Sequence, residues 1–229
     1  MRTKICLFDI DGTLLKSAGA GLKAFEKTFF ELYGWENAVA KIRFAGTTDL
    51  LVVRNVFEER GHPVSEKETQ RVFSLLSRKL HEELETLKKA SWLHPDQTPK
   101  LMPDVTVVLE QLGQMSGVRL GLVTGNTEAC AMHKLGFFGI ESSFEGGGFG
   151  DDHEDRSEIV AHALRRLGAR GQEEVWLVGD TPADILAGRQ AGVKVLAVTT
   201  GWCKRQDLEE HAPDEVVDRL SEWSLLKNP

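Results

Sequence analysis

The stretch Lys4-Ile5-Cys6-Leu7-Phe8-Asp9-Ile10-Asp11-Gly12-Thr13-Leu14 decides how the rest of the chain is read. Ile5 to Phe8 form an unbroken apolar run, the pattern of a strand buried on both faces of a parallel sheet. The run breaks on two acids, Asp9 and Asp11, and Gly12 permits the backbone of a tight turn. Two carboxylates this close at a strand tip repel, and burying both as anions is costly. A bound divalent cation relieves that cost, and a donor set made only of oxygens points to Mg²⁺. Taken alone, the segment also reads as an acidic turn capping a helix.

Outward from this strand, the chain divides by periodicity. Residues 18–90 are predicted helical, with no convincing strand. Their apolar stripes are Leu22, Phe25, Phe29 and Leu32, then Leu50, Val53 and Phe57, then Val72, Leu76, Leu80, Leu84 and Leu87. Residues 91–103, with Pro95, Pro99 and Pro103, read as a connector. Helices and strands then alternate. Helices are expected over Val105–Leu112, Glu128–Leu135, Ser157–Leu167 and Ala183–Ala191. Strands are expected over Val118–Val123, Val175–Val178 and Val193–Val198, with a short one near Phe144. The fold class is α/β, a Rossmann-like parallel-sheet core with an inserted all-helical cap domain. Residues 1–15 and 97–229 are assigned to the core and 16–96 to the cap. Ser17–Gly21 and Trp92–Pro103 are the crossings between them.

Ligands of open α/β sheets collect beyond the carboxyl ends of the strands. Asp9, Thr124 and Asp180 each follow an apolar run directly, so three separate segments deliver polar groups to one edge. In Thr124-Gly125-Asn126 a strand gives way to a helix, where backbone amides favour an anion and a threonine hydroxyl adds a hydrogen bond. An ordinary helix cap is the plain alternative. In Gly179-Asp180-Thr181-Pro182-Ala183-Asp184, Pro182 suits the first turn of a helix and the two acids stand four residues apart, within reach of one another. A dipole-matched helix start explains that segment equally well by itself.

Together these segments resemble the haloacid dehalogenase (HAD) superfamily of aspartate-nucleophile phosphohydrolases, over nearly the whole chain. The likeness rests on Asp9-x-Asp11-Gly12-Thr13, on Thr124-Gly125-Asn126 and on the Gly179–Asp184 segment. The helical insertion is similar to the family's C1-type cap, as in phosphoglycolate phosphatase-like members, and Met102-Pro103-Asp104-Val105 is similar to its return hinge. The resemblance implies that Asp9 attacks phosphorus and that Asp11 serves as acid and base. It implies Mg²⁺ held by Asp9, the Asp11 backbone carbonyl and Asp180, with Asp184 alongside. It also implies a phosphoryl group gripped by Thr124, Gly125 and Asn126. One departure stands out: the family's lysine ahead of the last segment is missing, since no lysine occurs between Lys134 and Lys194. Arg156 is the expected stand-in, a cation that grips phosphate bidentately. Its alternative is a surface arginine answering Asp151, Asp152, Glu154 and Asp155.

Bulk properties narrow the classes further. A net charge of −7 disfavours binding to a nucleic-acid backbone. No apolar run is long enough to span a membrane. Three widely spaced cysteines without a CxxC, and histidines without ligand spacing, argue against zinc and for a reduced, cytoplasmic setting. The expected partner is a small phosphorylated metabolite. Arg43, Thr47, Thr48 and Arg54, around a turn at Gly46, are candidates to read its organic part, or else simply a polar turn and a solvated helix face. Rival readings are a phosphomutase, a dehalogenase, a phosphonate hydrolase using Lys23, Lys27 or Lys41, and a non-catalytic binding module.

Overall fold

The computed structural model describes residues 3–90 and 98–227. The chain begins with β1 (Lys4–Phe8) and β2 (Leu15–Lys16), followed by helices α1 (Ala20–Tyr33), α2 (Asp49–Glu59) and α3 (Glu66–Ala90). Next come β3 (Lys100–Leu101), α4 (Val105–Gln114), β4 (Val118–Val123), α5 (Glu128–Phe138) and β5 (Gly147–Gly148). The last part holds α6 (Arg156–Arg166), β6 (Glu174–Gly179), α7 (Pro182–Gln190), β7 (Lys194–Val198), α8 (Arg205–Glu209) and β8 (Glu215–Val217).

Six strands make one parallel sheet in the order β5-β4-β1-β6-β7-β8. The pleat sends alternate residues of β1 to opposite faces. Cys6 and Phe8 join the core beneath α4 and α5, while Ile5 and Leu7 join the core beneath α6 and α7. Burial pushes the Cys6 thiol up to about 12, which leaves it an inert apolar filler. Register does the functional work. Phe8 pairs with Leu122 on one side and Val178 on the other, so the three strands end level. Asp9, Thr124 and Asp180 therefore leave the sheet within about one residue of a common line.

The insertion between β2 and β3 contains α1, α2 and α3 among the described residues. Its helices bury an apolar cluster of their own around Phe25, Phe29, Val53, Phe57, Leu76 and Leu80. Phe29 meets Phe57 edge-on at 6.1 Å between ring centroids. Leu22 departs from its expected stripe: it is 47% exposed although Phe25 and Phe29 beside it are buried. No helix among the described residues is long and apolar enough to cross a membrane.

Three expectations need correction. The strand placed near Phe144 lies at Gly147–Gly148, and Phe144 instead packs edge-on against Phe8. Two glycines carry no apolar alternation, so periodicity passes over them. The connector contains β3, which pairs antiparallel with β2. The edge strand β8 was not anticipated. The proposed boundary between residues 96 and 97, and Pro95, lie outside the described residues.

Because Phe57 is fully buried in the helical cluster, Phe57→Ala is expected to lower unfolding stability by about 3–5 kcal/mol, read by chemical denaturation.

Candidate active site

Asp9 follows β1 and is buried, with its amide donating to Val178 O at 2.9 Å. Its Oδ1 accepts from Arg156 Nη2 at 2.6 Å, and the same Nη2 lies 2.8 Å from Asp184 Oδ1. Arg156 is therefore no surface residue; it opens α6 from within the site. The acids expected to answer it are engaged elsewhere. Asp152 pairs with Arg166, Asp155 caps α6, Asp151 accepts from the Glu128 amide, and Glu154 pairs with Arg54.

Asp180, fully buried, accepts from the Trp202 amide at 3.0 Å and from Thr13 Oγ1 at 3.4 Å. Gly12 has φ +93°, and a Cβ there would stand 2.4 Å from Asp180 Oδ2, so only glycine lets the first turn close over this acid. Asp184 serves two purposes. Its Oδ2 accepts from the Thr181 amide at 3.0 Å and from Thr181 Oγ1 at 2.7 Å, completing a capping box on α7. Its Oδ1 makes no hydrogen bond and faces Asp9 and Arg156. The helix-start reading holds, and the same side chain also lies against Arg156 beside Asp9.

Ligand oxygens of Asp9, Asp180 and Asp184 lie within 4.8 Å of one another. Three buried carboxylates share one guanidinium, so negative charge is left over. Burial pushes Asp9 up to about 7, with Arg156 opposing, and burial and the Asp9 charge push Asp180 up to about 8. Arg156 is held above its usual range by Asp184 and Asp9, which outweigh the burial that pulls it down. A hard divalent cation fits this donor set: all its donors are carboxylate oxygens, and Asp184 Oδ1 makes no hydrogen bond, only the ion-pair contact with Arg156.

Asp11, expected beside these acids, has a different environment. Its Oδ2 accepts from Lys134 Nζ at 2.5 Å and from Asn126 Nδ2 at 2.8 Å. Asn126 Oδ1 accepts from the same lysine at 2.6 Å, and Asn126 Nδ2 also donates to Thr124 Oγ1 at 2.8 Å. Lys134 lies inside α5, where sequence reading had only marked the end of a lysine-free stretch. Burial pulls its pKa down, but Asp11 more than compensates and holds it high. Thr124-Gly125-Asn126 is not the helix cap. Thr127 caps α5, accepting from the Cys130 amide at 3.3 Å. The amides of Thr124, Asn126 and Thr127 already serve Gly148 O, Thr124 Oγ1 and Asp49 Oδ2, so the anion cradle is narrower than a bare helix end.

The helical insertion closes over this edge. A Cβ on Gly125 would stand 2.3 Å from Thr47 O, so a glycine is required where the loop before α2 crosses. The Asp49 amide donates to Gly125 O at 2.7 Å, while the buried Asp49 carboxylate accepts from the Thr127 amide at 2.8 Å. Beneath this contact lies a cavity of about 650 Å³ lined by Asp9, Asp11, Thr124, Lys134 and Arg156, among others. Arg43 and Thr47 line it too, the Thr47 hydroxyl donating to Arg43 O at 2.7 Å. Arg54 is drawn away by Glu154, and Thr48 caps α2. Lys23, Lys27 and Lys41 do not line the cavity; Lys27 and Lys41 pair with Glu83 and Glu59.

Residues 6–198 match the model of the haloacid dehalogenase-like hydrolase family. The chain belongs to that family. Proteins similar to it include a phosphoglycolate phosphatase of Aquifex aeolicus, 29% identical over 97% of this chain and 96% of that protein. A pyrophosphatase PpaX of Halalkalibacterium halodurans is 27% identical over 95% of this chain and 93% of that protein. CbbY from Rhodobacter sphaeroides, solved in complex with phosphate, shares the fold with a TM-score of 0.70 at 16% identity, covering 97% and 96% of the two chains. As a member of this family the protein is a hydrolase.

The Asp49 contact gives a pH-dependent expectation. Burial pushes this carboxyl up to about 7, against the Thr127 amide and Lys134. Folding thus favours the protonated form; the contribution to stability is full below the usual carboxylate range and is lost as pH rises through about 7. Asp49→Asn escapes that loss. The melting temperature of the variant minus that of the parent is expected to be more positive at about pH 8.5 than at about pH 5.

Proposed function

We propose that this hydrolase is a Mg²⁺-dependent phosphatase that cleaves a small phosphomonoester through an aspartyl-phosphate on Asp9. The observation that carries the reading is the placement of Asp9. It lines the cavity beside Thr124, and Arg156 fixes its carboxylate through Oδ1. A carboxylate so oriented is a poised nucleophile. The names of the relatives, a phosphoglycolate phosphatase and a pyrophosphatase, agree with a small phosphate-bearing substrate.

In this reading Asp9 Oδ2 attacks phosphorus, the bond to the alcohol oxygen breaks, and Asp11 delivers a proton to that oxygen. Asp11 then takes a proton from the water that cleaves the aspartyl-phosphate, releasing phosphate and restoring Asp9. Lys134 and Asn126 hold the Asp11 carboxylate for both transfers. Thr124, Gly125 and Asn126 hold the phosphoryl oxygens, and Arg156 stands where the family's lysine would be. Asp9, the Asp11 backbone carbonyl and Asp180 would hold Mg²⁺, with Asp184 behind them. When bound, the ion neutralises the repulsion between the phosphate and Asp9.

The same reading treats residues 16–96 as a cap domain on a core of 1–15 and 97–229, with Arg43 and Thr47 facing the organic part of the substrate. Closing the cap excludes bulk water from the reaction. A reduced cytoplasmic setting suits the three free cysteines.

Phosphate release from a metabolite panel is expected with Mg²⁺ and absent with EDTA. Asp9→Asn is expected to reduce kcat by at least about a thousandfold without changing the circular dichroism spectrum. Release that survives Asp9→Asn would refute the mechanism. Lys134→Met is expected to lower kcat by about tenfold to a hundredfold, measured under saturating substrate, because Asp11 loses the cation that orients it.

A further inference from the structure

We infer that the substrate is a phosphomonoester with an apolar alcohol part, not a compact, highly charged molecule of the kind named for the relatives. The inference rests on the phosphatase reading of the same cavity and narrows it to a substrate class.

The cavity holds about 650 Å³, within the range of sites that enclose a drug-sized ligand. A phosphate on Asp9, Thr124 and Arg156 occupies one pole and leaves most of that volume to the rest of the substrate. The walls there come from the helical insertion: Leu22 and Phe25 on α1, Phe44 in the following loop, and Leu76 and Leu80 on α3. Phe25, Leu76 and Leu80 are 3%, 1% and 1% exposed, so this side of the cavity is continuous with the apolar cluster of the insertion. Leu22 is the informative residue. It follows the stripe of Phe25 and Phe29, yet it is left 47% exposed and lines the cavity. A compact anion would leave the exposed part of Leu22 wet, whereas an apolar group covers it at a gain of about 25 cal/mol for each Å² removed from water.

Cations also line the cavity, but among the described residues the α1 and α3 helices contribute none of them. Lys16 and Lys100 face each other on the β2–β3 ladder, and Lys16 lies 5.3 Å from the Trp202 ring. Those two charges mark the side where the chain crosses between core and insertion, while Arg43 lines the cavity from the loop ahead of Phe44 and Lys134 approaches α1 at Gly21. The wall formed by α1 and α3 contributes Leu22, Phe25, Leu76 and Leu80 to the cavity and no charged side chain among the described residues.

The test is a series of n-alkyl phosphates from methyl to hexyl, with phosphoglycolate and pyrophosphate as charged comparators, assayed with Mg²⁺. Each added methylene is expected to raise kcat/KM roughly fourfold until the cavity is filled. Leu22→Glu is expected to reduce the ratio of hexyl to methyl kcat/KM at least about fivefold, and the variant should fold because Leu22 is already half exposed. A flat series, or a tenfold or greater preference for phosphoglycolate or pyrophosphate, overturns the inference while the phosphatase reading stands. Binding of the matching n-alkylphosphonates, followed by calorimetry, separates the two. Affinity that rises with chain length without turnover of any ester supports the apolar site and refutes the phosphatase. Affinity independent of chain length overturns the inference whatever the turnover.

Discussion

Burying Asp9, Asp180 and Asp184 around a single guanidinium is the constraint on which the rest of this structure depends. Removing several carboxylates from water is expensive, and one arginine does not repay it. Everything nearby reduces the cost. The Trp202 amide and Thr13 attend Asp180, Thr181 attends Asp184, and Gly12 brings the first turn against the group without a side chain in the way. An apolar cluster of the same volume would be more stable. This hydrolase keeps the acids nonetheless, with Asp184 Oδ1 answered only by the Arg156 charge.

Asp9 and Asp11 are two residues apart, yet their surroundings differ in kind. Asp9 shares Arg156 with Asp184 in a buried acidic cluster, whereas Asp11 faces Lys134 and Asn126 at the cavity. Assigning different tasks to neighbouring carboxylates requires such a difference of environment. Two cations supply it, one from the start of α6 and one from the interior of α5. The insertion adds a second dependence. Asp49 closes on the Thr127 amide beside Asn126, so the covering loop and the Asp11 support meet within a few residues.

The acids of the site were legible because each one interrupts or follows an apolar run, and level strand ends bring such positions together. Asp9, Asp180, Asp184 and Arg156 meet as the segments imply, and the parallel sheet and helical insertion follow from the change of periodicity. Lys134 was illegible for a physical reason. It sits in mid-helix with no polar pattern around it to mark it, and its partner Asp11 lies 123 residues earlier in the chain. Asp49 reads as an acid in the first turn of a helix, which it is, and its partner is remote in sequence. The strands β2, β3 and β5 are two residues each, too short for any alternation to register.

The small β2–β3 ladder bears on how the molecule assembles. β1 must find β4, and Lys4 pairs with Val118 across the whole insertion. Leu15 with Leu101, Lys16 with Lys100, and the Met102 amide on Leu14 O at 2.8 Å close that insertion into a side loop. Loop-closure entropy grows only logarithmically with length, so once this clasp forms, a distant strand pairing becomes almost a local one. The insertion can then lengthen or shorten with little effect on the speed at which the central sheet forms.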